Sequence, residues 1–217
     1  MDIDNTIIVK MKSQKNINKI LILFAHPALQ KSRVNKKLID YINNIDGITF
    51  HDLYETYHDF HINVSNEQKL LTEHEIIIFH HPILWFSMPA LLKEWMDLVL
   101  QHGWAYGKKG HYLKGKKLLS VVSTGGRESL YQKTGYNKHT ILEFLTPVSQ
   151  AAFVCGMQYL PPFVIHGTNS INHEDIIGYG KDYKALLIAL RDNSIDLKQA
   201  MSYSIINEDL SSLILKD

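Results

Sequence analysis

Three short runs of almost unbroken apolar residues constrain this chain most: Lys19–Ala25 (KILILFA), Glu75–His81 (EIIIFHH) and Lys117–Ser123 (KLLSVVS). A strand with one face in water alternates apolar and polar residues. A run without alternation has both faces covered, the habit of strands in a parallel sheet flanked by helices. Helical spacings separate these runs. Val34, Leu38, Ile39, Ile42 and Ile45 form one stripe, stopped by Asp46-Gly47. Asn66–Thr72 reads as a short helix. Leu91, Leu92, Trp95, Val99 and Leu100 form another stripe behind Pro89, which suits a first helical turn. Ile48–Tyr54 alternates, as a strand nearer an edge does. Thr140–Cys155 reads as a helix that Pro147 kinks or breaks. Leu160–His166 is a last strand with Pro161-Pro162 at its start, where missing donors matter least. Glu174–Leu190 is a closing helix. The tail Ser194–Lys216 carries Leu197, Met201, Ile205 and Leu210, as a further helix lying on the surface or on a partner would. Five strands alternating with helices predict an α/β fold with a parallel sheet, right-handed crossovers and helices on both faces.

A chain of 217 residues buries ample core as one domain. Residues 19–217 are read as that domain and residues 1–18 as a polar extension. Asp2 and Asp4 stand where a secretory leader would be positive. No apolar run approaches the ~20 residues of a membrane span. Lys+Arg at 23 against Asp+Glu at 22 leaves a net charge of +1, without the basic excess of a nucleic-acid binder. The single cysteine, Cys155, cannot form an internal disulfide. A reducing compartment, hence the cytoplasm, is the expected location.

In such sheets ligands bind at the carboxyl ends of strands, which singles out three loops. The first, His26–Asn35, lacks GxGxxG and GxxxxGK[ST], the ordinary dinucleotide and phosphate-loop signatures. It does place Ser32 at a helix start, where free amides bind phosphate, with Asn35, Lys31 and Arg33 alongside. Ser32 also suits a plain N-cap, and His26 either a ligand contact or a local hydrogen bond. The second, Pro82–Met88, sets Trp85 and Phe86 between prolines, either as a wall for a planar ligand or as packing for the next helix. His80 and His81 are adjacent in a strand and point to opposite faces, so no metal site is expected. The third, Thr124–Tyr131, opens with Gly125-Gly126. This is a simple turn, or an edge where backbone meets ligand closely. Tyr131 could lie over that ligand or on plain surface. A helix end for phosphate, an aromatic wall and a diglycine edge on one side of a sheet suit a flat, phosphate-bearing cofactor such as FMN.

The segments ILILFAHP (20–27), HPILWFSMPALLKEWMD (81–97), HGWAYG (102–107), STGGRES (123–129) and CGMQYLPPFVIHG (155–167) resemble the flavodoxin-like quinone reductases of the NAD(P)H dehydrogenase (quinone) family. The likeness is strongest to the ancillary oxidoreductases of glutathione-regulated potassium efflux systems. It runs from about Lys19 to Leu190. The resemblance implies a three-layer flavodoxin-like sandwich with a five-stranded parallel sheet in the order 2-1-3-4-5, bound FMN (or FAD) and a homodimer. It implies that His26, Ser32, Arg33, Val34 and Asn35 surround the flavin phosphate and ribityl chain. Ile83, Leu84, Trp85 and Phe86 would line the ring, and Thr124, Gly125, Gly126 and Arg127 would meet its pyrimidine edge. Tyr131 falls at the position of a catalytic tyrosine. The histidine that accompanies it in eukaryotic members is replaced by Asn137, with His139 two residues on.

The activity so implied is two-electron, ping-pong hydride transfer from NADH or NADPH to a quinone or similar acceptor. Two rival readings stand beside it: a cytoplasmic regulatory partner of a membrane potassium transporter, and a flavodoxin-type electron carrier. The loop HGWAYG suits either a cover over the active site or a dimer interface. Cys155 reads as a core thiol.

Overall fold

Ile20–Phe24 (β1) is five apolar residues long and wholly shielded from solvent, so the sheet must be covered on both faces. The computed structural model describes residues 17–43 and 45–215; of the polar extension expected over residues 1–18, residues 1–16 lie outside them. In chain order β1 is followed by α1 (Arg33–Ile42), β2 (Ile48–Asp52), the single turn α2 (Leu53–Thr56) and α3 (Val64–Glu73). Then come β3 (Ile76–Pro82), α4 (Ala90–Val99), β4 (Lys117–Ser123), α5 (Ile141–Phe144) and α6 (Thr146–Val154). The chain continues through β5 (Gln158–Tyr159), β6 (Phe163–Ile165), α7 (His173–Arg191), α8 (Leu197–Ala200) and α9 (Leu210–Leu213). The strands run parallel in the order β2-β1-β3-β4-β5, with β6 also on β4.

The register sorts alternate residues to opposite faces, as the pleat requires. Ile20, Ile22, Ile76, Ile78, Leu119 and Val121 meet Val34, Leu38 and Ile42 of α1 and Tyr183, Leu186, Leu187 and Leu190 of α7. Leu21, Leu23, Ile77, Phe79 and Leu118 meet Leu71 of α3, Leu91, Leu92, Trp95 and Val99 of α4, and Val148 and Ala152 of α6. Each such side chain contributes about 1.5–3 kcal/mol by leaving water.

Three expectations need correction. The last strand is two pieces, because Pro161 and Pro162 bring no N–H to the ladder. Leu160 still donates to the Leu118 carbonyl at 2.8 Å before the break. The helix over 140–155 is likewise two: the chain re-starts at Thr146 with Pro147 in the first turn, where its missing N–H costs nothing. The tail forms the separate turns α8 and α9, and Ile206, Leu210 and Leu213 are buried in the main core rather than lying on the surface.

A buried carboxylate, which the sequence pattern does not announce, ties down the β2 side. Glu67 of α3 has no solvent contact and accepts from Tyr57 Oη at 2.5 Å, Trp95 Nε1 at 2.8 Å and His51 Nε2 at 3.0 Å. Burial pushes its pKa up, but the three hydrogen bonds outweigh that and leave the carboxyl below its usual range.

Candidate functional site

The loop after β1 turns on His26, whose Nδ1 accepts from the Ala28 amide at 3.1 Å. Ser32 then caps α1, its Oγ accepting from the Asn35 amide at 3.1 Å and from Asn35 Nδ2 at 3.0 Å. Asn35 is itself buried. Its other amide hydrogen points to Ser123 Oγ at 3.1 Å, and its Oδ1 faces His80 Nε2 at 3.1 Å. One side chain thus joins the α1 start to the ends of β3 and β4. Because Ser32 Oγ accepts twice, its own hydrogen is left for a ligand. The amides of the first helical turn and the nearby Lys31 and Arg33 add positive character. Arg33 is held by a hydrogen bond from Nη2 to the Ile171 carbonyl at 3.0 Å.

After β3, Ile83 donates to the Ser123 carbonyl at 2.8 Å, and Leu84 and Ser87 exchange backbone hydrogen bonds of 2.9 and 3.0 Å. That closes a two-residue turn with Trp85 (φ 47) and Phe86 (φ 65) at its tip. Such turns favour Asn-Gly. Two bulky residues at positive φ cost about 1–3 kcal/mol each, a cost typical of binding sites. Trp85 is 93% exposed and, among the described residues, packs on no neighbour's ring, whereas Phe86 leans on Phe144 of α5 at 5.2 Å. The rings therefore project from the turn and do not pad α4.

After β4, Thr124 donates its amide to the Ile165 carbonyl at 2.9 Å and its Oγ1–H to the Gly126 carbonyl at 2.8 Å. Gly167 and Thr168 donate to the carbonyls of Gly126 and Thr124 at 2.8 and 3.0 Å. The carbonyls of Thr124 and Gly126 are thus engaged. Among the described residues, the amides of Gly125, Gly126 and Arg127 make no hydrogen bond. Neither glycine is held to its type by a positive φ. A Cβ on Gly125 would come 2.9 Å from Asn169 Nδ2, and one on Gly126 2.8 Å from Leu130 Cδ1. Both contacts are the tips of flexible side chains that a Cβ would displace, so what the loop offers a ligand is its row of unpaired amides.

Tyr131 follows a 3-10 turn over Glu128–Leu130. Its ring lies 5.2 Å from the His166 ring and edge-on to Phe144 at 6.1 Å. His166, which sequence reasoning missed, comes from the end of β6. Its Nδ1 is 2.9 Å from Thr124 Oγ1. Since the threonine proton goes to Gly126, the imidazole must donate from Nδ1, which leaves Nε2 bare. Burial holds the His166 pKa below its ordinary value, against the opposing pull of Glu128. The two positions that sequence offered for a histidine are elsewhere. Asn137 donates its amide to Leu130, and His139 turns toward Glu143 and Phe144. The signal available in the sequence was a histidine at a strand end, the same signal that singled out His26. The 102–107 loop joins α4 to β4 at the amino ends of the strands, away from the three loops of its own chain, with the His102 ring edge-on to Tyr106.

The three loops enclose one cleft of about 420 Å³. His26, Ser32, Arg33, Val34, Asn35, Ile83, Leu84 and Gly125 line it, joined by Lys31, Pro82, Ser123, Thr168 and Asn169. Trp85 and Phe86 follow Leu84 in the turn but are not among the lining residues, nor are Thr124, Gly126, Arg127 and Tyr131, which flank Gly125 in the third loop. A larger groove of about 700 Å³ lies beside α7, but it is lined by Glu174, Asp175 and Asp182, which repel an anion. The cleft therefore suits a ligand with an anionic tail at α1, a flat body under the aromatic turn and acceptor atoms facing the diglycine amides. FMN has all three.

Residues 18–187 match the family model described as flavodoxin-like fold. The chain is 41% identical over 170 residues to the glutathione-regulated potassium-efflux system ancillary protein KefF of Enterobacter sp. (strain 638), covering 78% of this chain and 95% of that one. A crystal structure of general stress protein 14 from Treponema denticola in complex with FMN superposes with a TM-score of 0.74 at 38% identity, covering 79% of this chain and 99% of that one. An NADPH-quinone reductase from P. pentosaceus superposes with a TM-score of 0.71 at 33% identity, covering 77% and 96%.

Proposed function

The chain belongs to the flavodoxin-like fold family, and from that premise we propose that it is an FMN-dependent NAD(P)H oxidoreductase that passes two electrons to quinones or similar acceptors. The observation that carries this reading is the pairing, across one cleft, of a capped helix start with a row of unpartnered glycine-loop amides. The likeness to the T. denticola protein, which binds FMN, and to the P. pentosaceus NADPH-quinone reductase supports it.

Bound FMN supplies the hydride-transfer chemistry; the protein supplies binding, orientation and charge stabilisation. The α1 amides and the Ser32 hydroxyl hold the phosphate. The amides of Gly125, Gly126 and Arg127 are fixed donors toward the pyrimidine edge, where negative charge develops on reduction, and such donors need no reorganisation when it does. Leu84 and Trp85 keep water from the ring and offer a surface on which nicotinamide and acceptor stack in turn. The Tyr131 hydroxyl, near Gly126 and on a ring that lies against His166, would hold a proton near that edge.

The test is an absorbance spectrum of the purified protein, then heat release and chromatography of the chromophore. A yellow protein releasing FMN and oxidising NADH or NADPH with a quinone is expected. A colourless protein that refuses FMN at micromolar concentration overturns the reading.

A second reading is favoured by the KefF likeness: the chain would also act as the ancillary partner of a potassium efflux transporter. Trp85 at 93%, Tyr136 at 85% and Phe153 at 76% exposure give it apolar surface for a second copy of itself or for such a partner. Among the described residues no helix is long and apolar enough to cross a membrane. Sedimentation alone and co-purification with the transporter separate the dimer from the complex.

A further inference from the structure

Residues 195–215 lie beyond the stretch that matches the family, and they do more than bury apolar surface. β6 pairs with β4 on one side only, so the outward N–H and C=O of Val164 would face away from the ladder. They do not go unpaired. The Val164 amide donates to Asn207 Oδ1 at 2.8 Å, and Asn207 Nδ2 donates to the Val164 carbonyl at 3.0 Å. One carboxamide thus replaces a neighbouring strand, and the Ile206 amide extends the imitation by donating to the Pro162 carbonyl at 2.9 Å. The tail is in turn anchored to the body. Ile206 and Leu213 have no solvent contact, the Asp196 amide donates to the Leu213 carbonyl at 2.8 Å, and the Leu215 amide donates to the Ser194 carbonyl at 2.9 Å.

The clamped strand is the one on which the diglycine loop rests. Two residues past Val164 comes His166, held to Thr124, and the next amide, that of Gly167, holds the Gly126 carbonyl. Ile205, just before the clamp, packs on the small cluster of Ile83, Val122, Ile141, Leu145 and Val164, on which Tyr131 also packs. The tail therefore bears on the site at two places, through β6 and through that cluster.

We propose that Asn207 and Ile205 are positioning residues for the oxidoreductase site, and that the C-terminal segment fixes the diglycine loop and Tyr131 from the sheet edge. The proposal rests on the flavin reading for its catalytic consequence but not for its structural one. It acts on the side where charge develops and an acceptor stacks, and not on the phosphate end. Its signature is a fall in kcat with FMN affinity retained.

The test uses the full chain with Asn207→Ala and, as the milder change, Ile205→Ala. Without flavin, amide exchange at Val164 and Gly167 is followed together with the resonance of fluorotyrosine at Tyr131, assigned with Tyr131→Phe. Losing the clamp should speed exchange about tenfold at both amides, since ~1.4 kcal/mol of lost hydrogen bonding is one decade, and should shift or broaden the Tyr131 signal. With FMN bound, kcat should fall about fivefold or more while FMN affinity stays within about twofold. If Val164 exchange rises but Gly167, Tyr131 and kcat match the wild type, the segment merely caps an edge and the proposal is overturned. It is equally overturned if FMN affinity falls in step with kcat. If Asn207→Ala does not fold, Ile205→Ala decides by the Tyr131 signal and kcat. A wild-type chain that binds no FMN sinks the flavin reading, and the exchange and fluorine results then still decide the structural claim.

Discussion

The Nε2 of His80 lies 3.1 Å from Oδ1 of Asn35, and this contact orients the side chain that ties the start of α1 to the ends of β3 and β4. Both amide hydrogens of Asn35 go to hydroxyl oxygens, of Ser32 and Ser123, so Oδ1 needs a donor and His80 must carry its proton on Nε2. Full burial, reinforced by His81 and His26, pulls the His80 pKa down to about 3 and keeps the ring neutral. His80→Phe keeps the bulk but strands a buried carbonyl oxygen, a loss of about 1–3 kcal/mol. We expect FMN to bind roughly tenfold more weakly or worse, and riboflavin, which has no phosphate, to lose less. Fluorescence-quenching titrations with both ligands check this, and equal losses would place the effect outside the phosphate end.

The turn carrying Trp85 and Phe86 holds two bulky residues at positive φ, a strain that the proposed ligand wall would account for. Replacing the pair by Asn-Gly, which adopts positive φ readily, should relieve strain and stabilise the fold by about 1–2 kcal/mol after the entropy cost of glycine. The same change removes the rings, so FMN should bind more weakly and turnover should fall. Thermal melting and FMN titration of the double variant test both halves. A variant that melts lower, or binds FMN as the wild type does, contradicts the assignment.

Tyr131 brings a phenolic hydroxyl near the diglycine edge, and Tyr131→Phe removes only that group. If it stabilises charge in the transition state, kcat should drop on the order of 10²-fold with FMN occupancy unchanged. Thr124→Val frees Nδ1 of His166 and should lower kcat less, while changing its pH dependence below neutrality, because the half-buried imidazole no longer has a fixed tautomer. Steady-state rates with occupancy checked by absorbance decide, and an unchanged Tyr131→Phe removes the tyrosine from the chemistry.

Where two levels of the sequence agree, the fold was readable. KILILFA, EIIIFHH and KLLSVVS became β1, β3 and β4 because an unalternating apolar run has only one comfortable setting, the middle of a covered sheet. Ser32 was readable as a helix start because the capping oxygen and the helix share one local geometry. Other features depend on long-range contacts that no local pattern records. His166 meets Tyr131 from 35 residues away in sequence (166 − 131) only because β6 ends beside β4. Glu67 looks like an ordinary surface glutamate until β2, α3 and α4 pack and surround it with three donors. Asn207 shows no signal in sequence, since a side chain imitating a strand leaves no periodicity. The positive φ of Trp85 was equally hidden, because the residue chosen there contradicts the turn it sits in.

Acid should destabilise this protein well before its carboxylates titrate. His80 and His81 are fully buried on β3, and burial brings their pKa values down to about 3 and about 4. The unfolded chain binds a proton at each below about pH 6.5, whereas the folded chain binds none until far lower pH. The unfolded state therefore carries more protons in that window, and stability must fall as pH falls. Each histidine contributes a slope approaching about 1.4 kcal/mol per pH unit, or about 2 kcal/mol between pH 7 and pH 5. His26 and His166, shifted downward by partial burial, act in the same direction. Urea unfolding at pH 7 and pH 5 should show a loss of about 4 kcal/mol in the wild type from the two strand histidines together. His81→Phe, which removes a ring whose Nε2 has no partner, should lose about 2 kcal/mol less over the same interval. A stability that stays flat from pH 7 to pH 5, or a variant with the wild-type slope, would show that these rings take up protons in the folded state and are not sealed as the sheet requires.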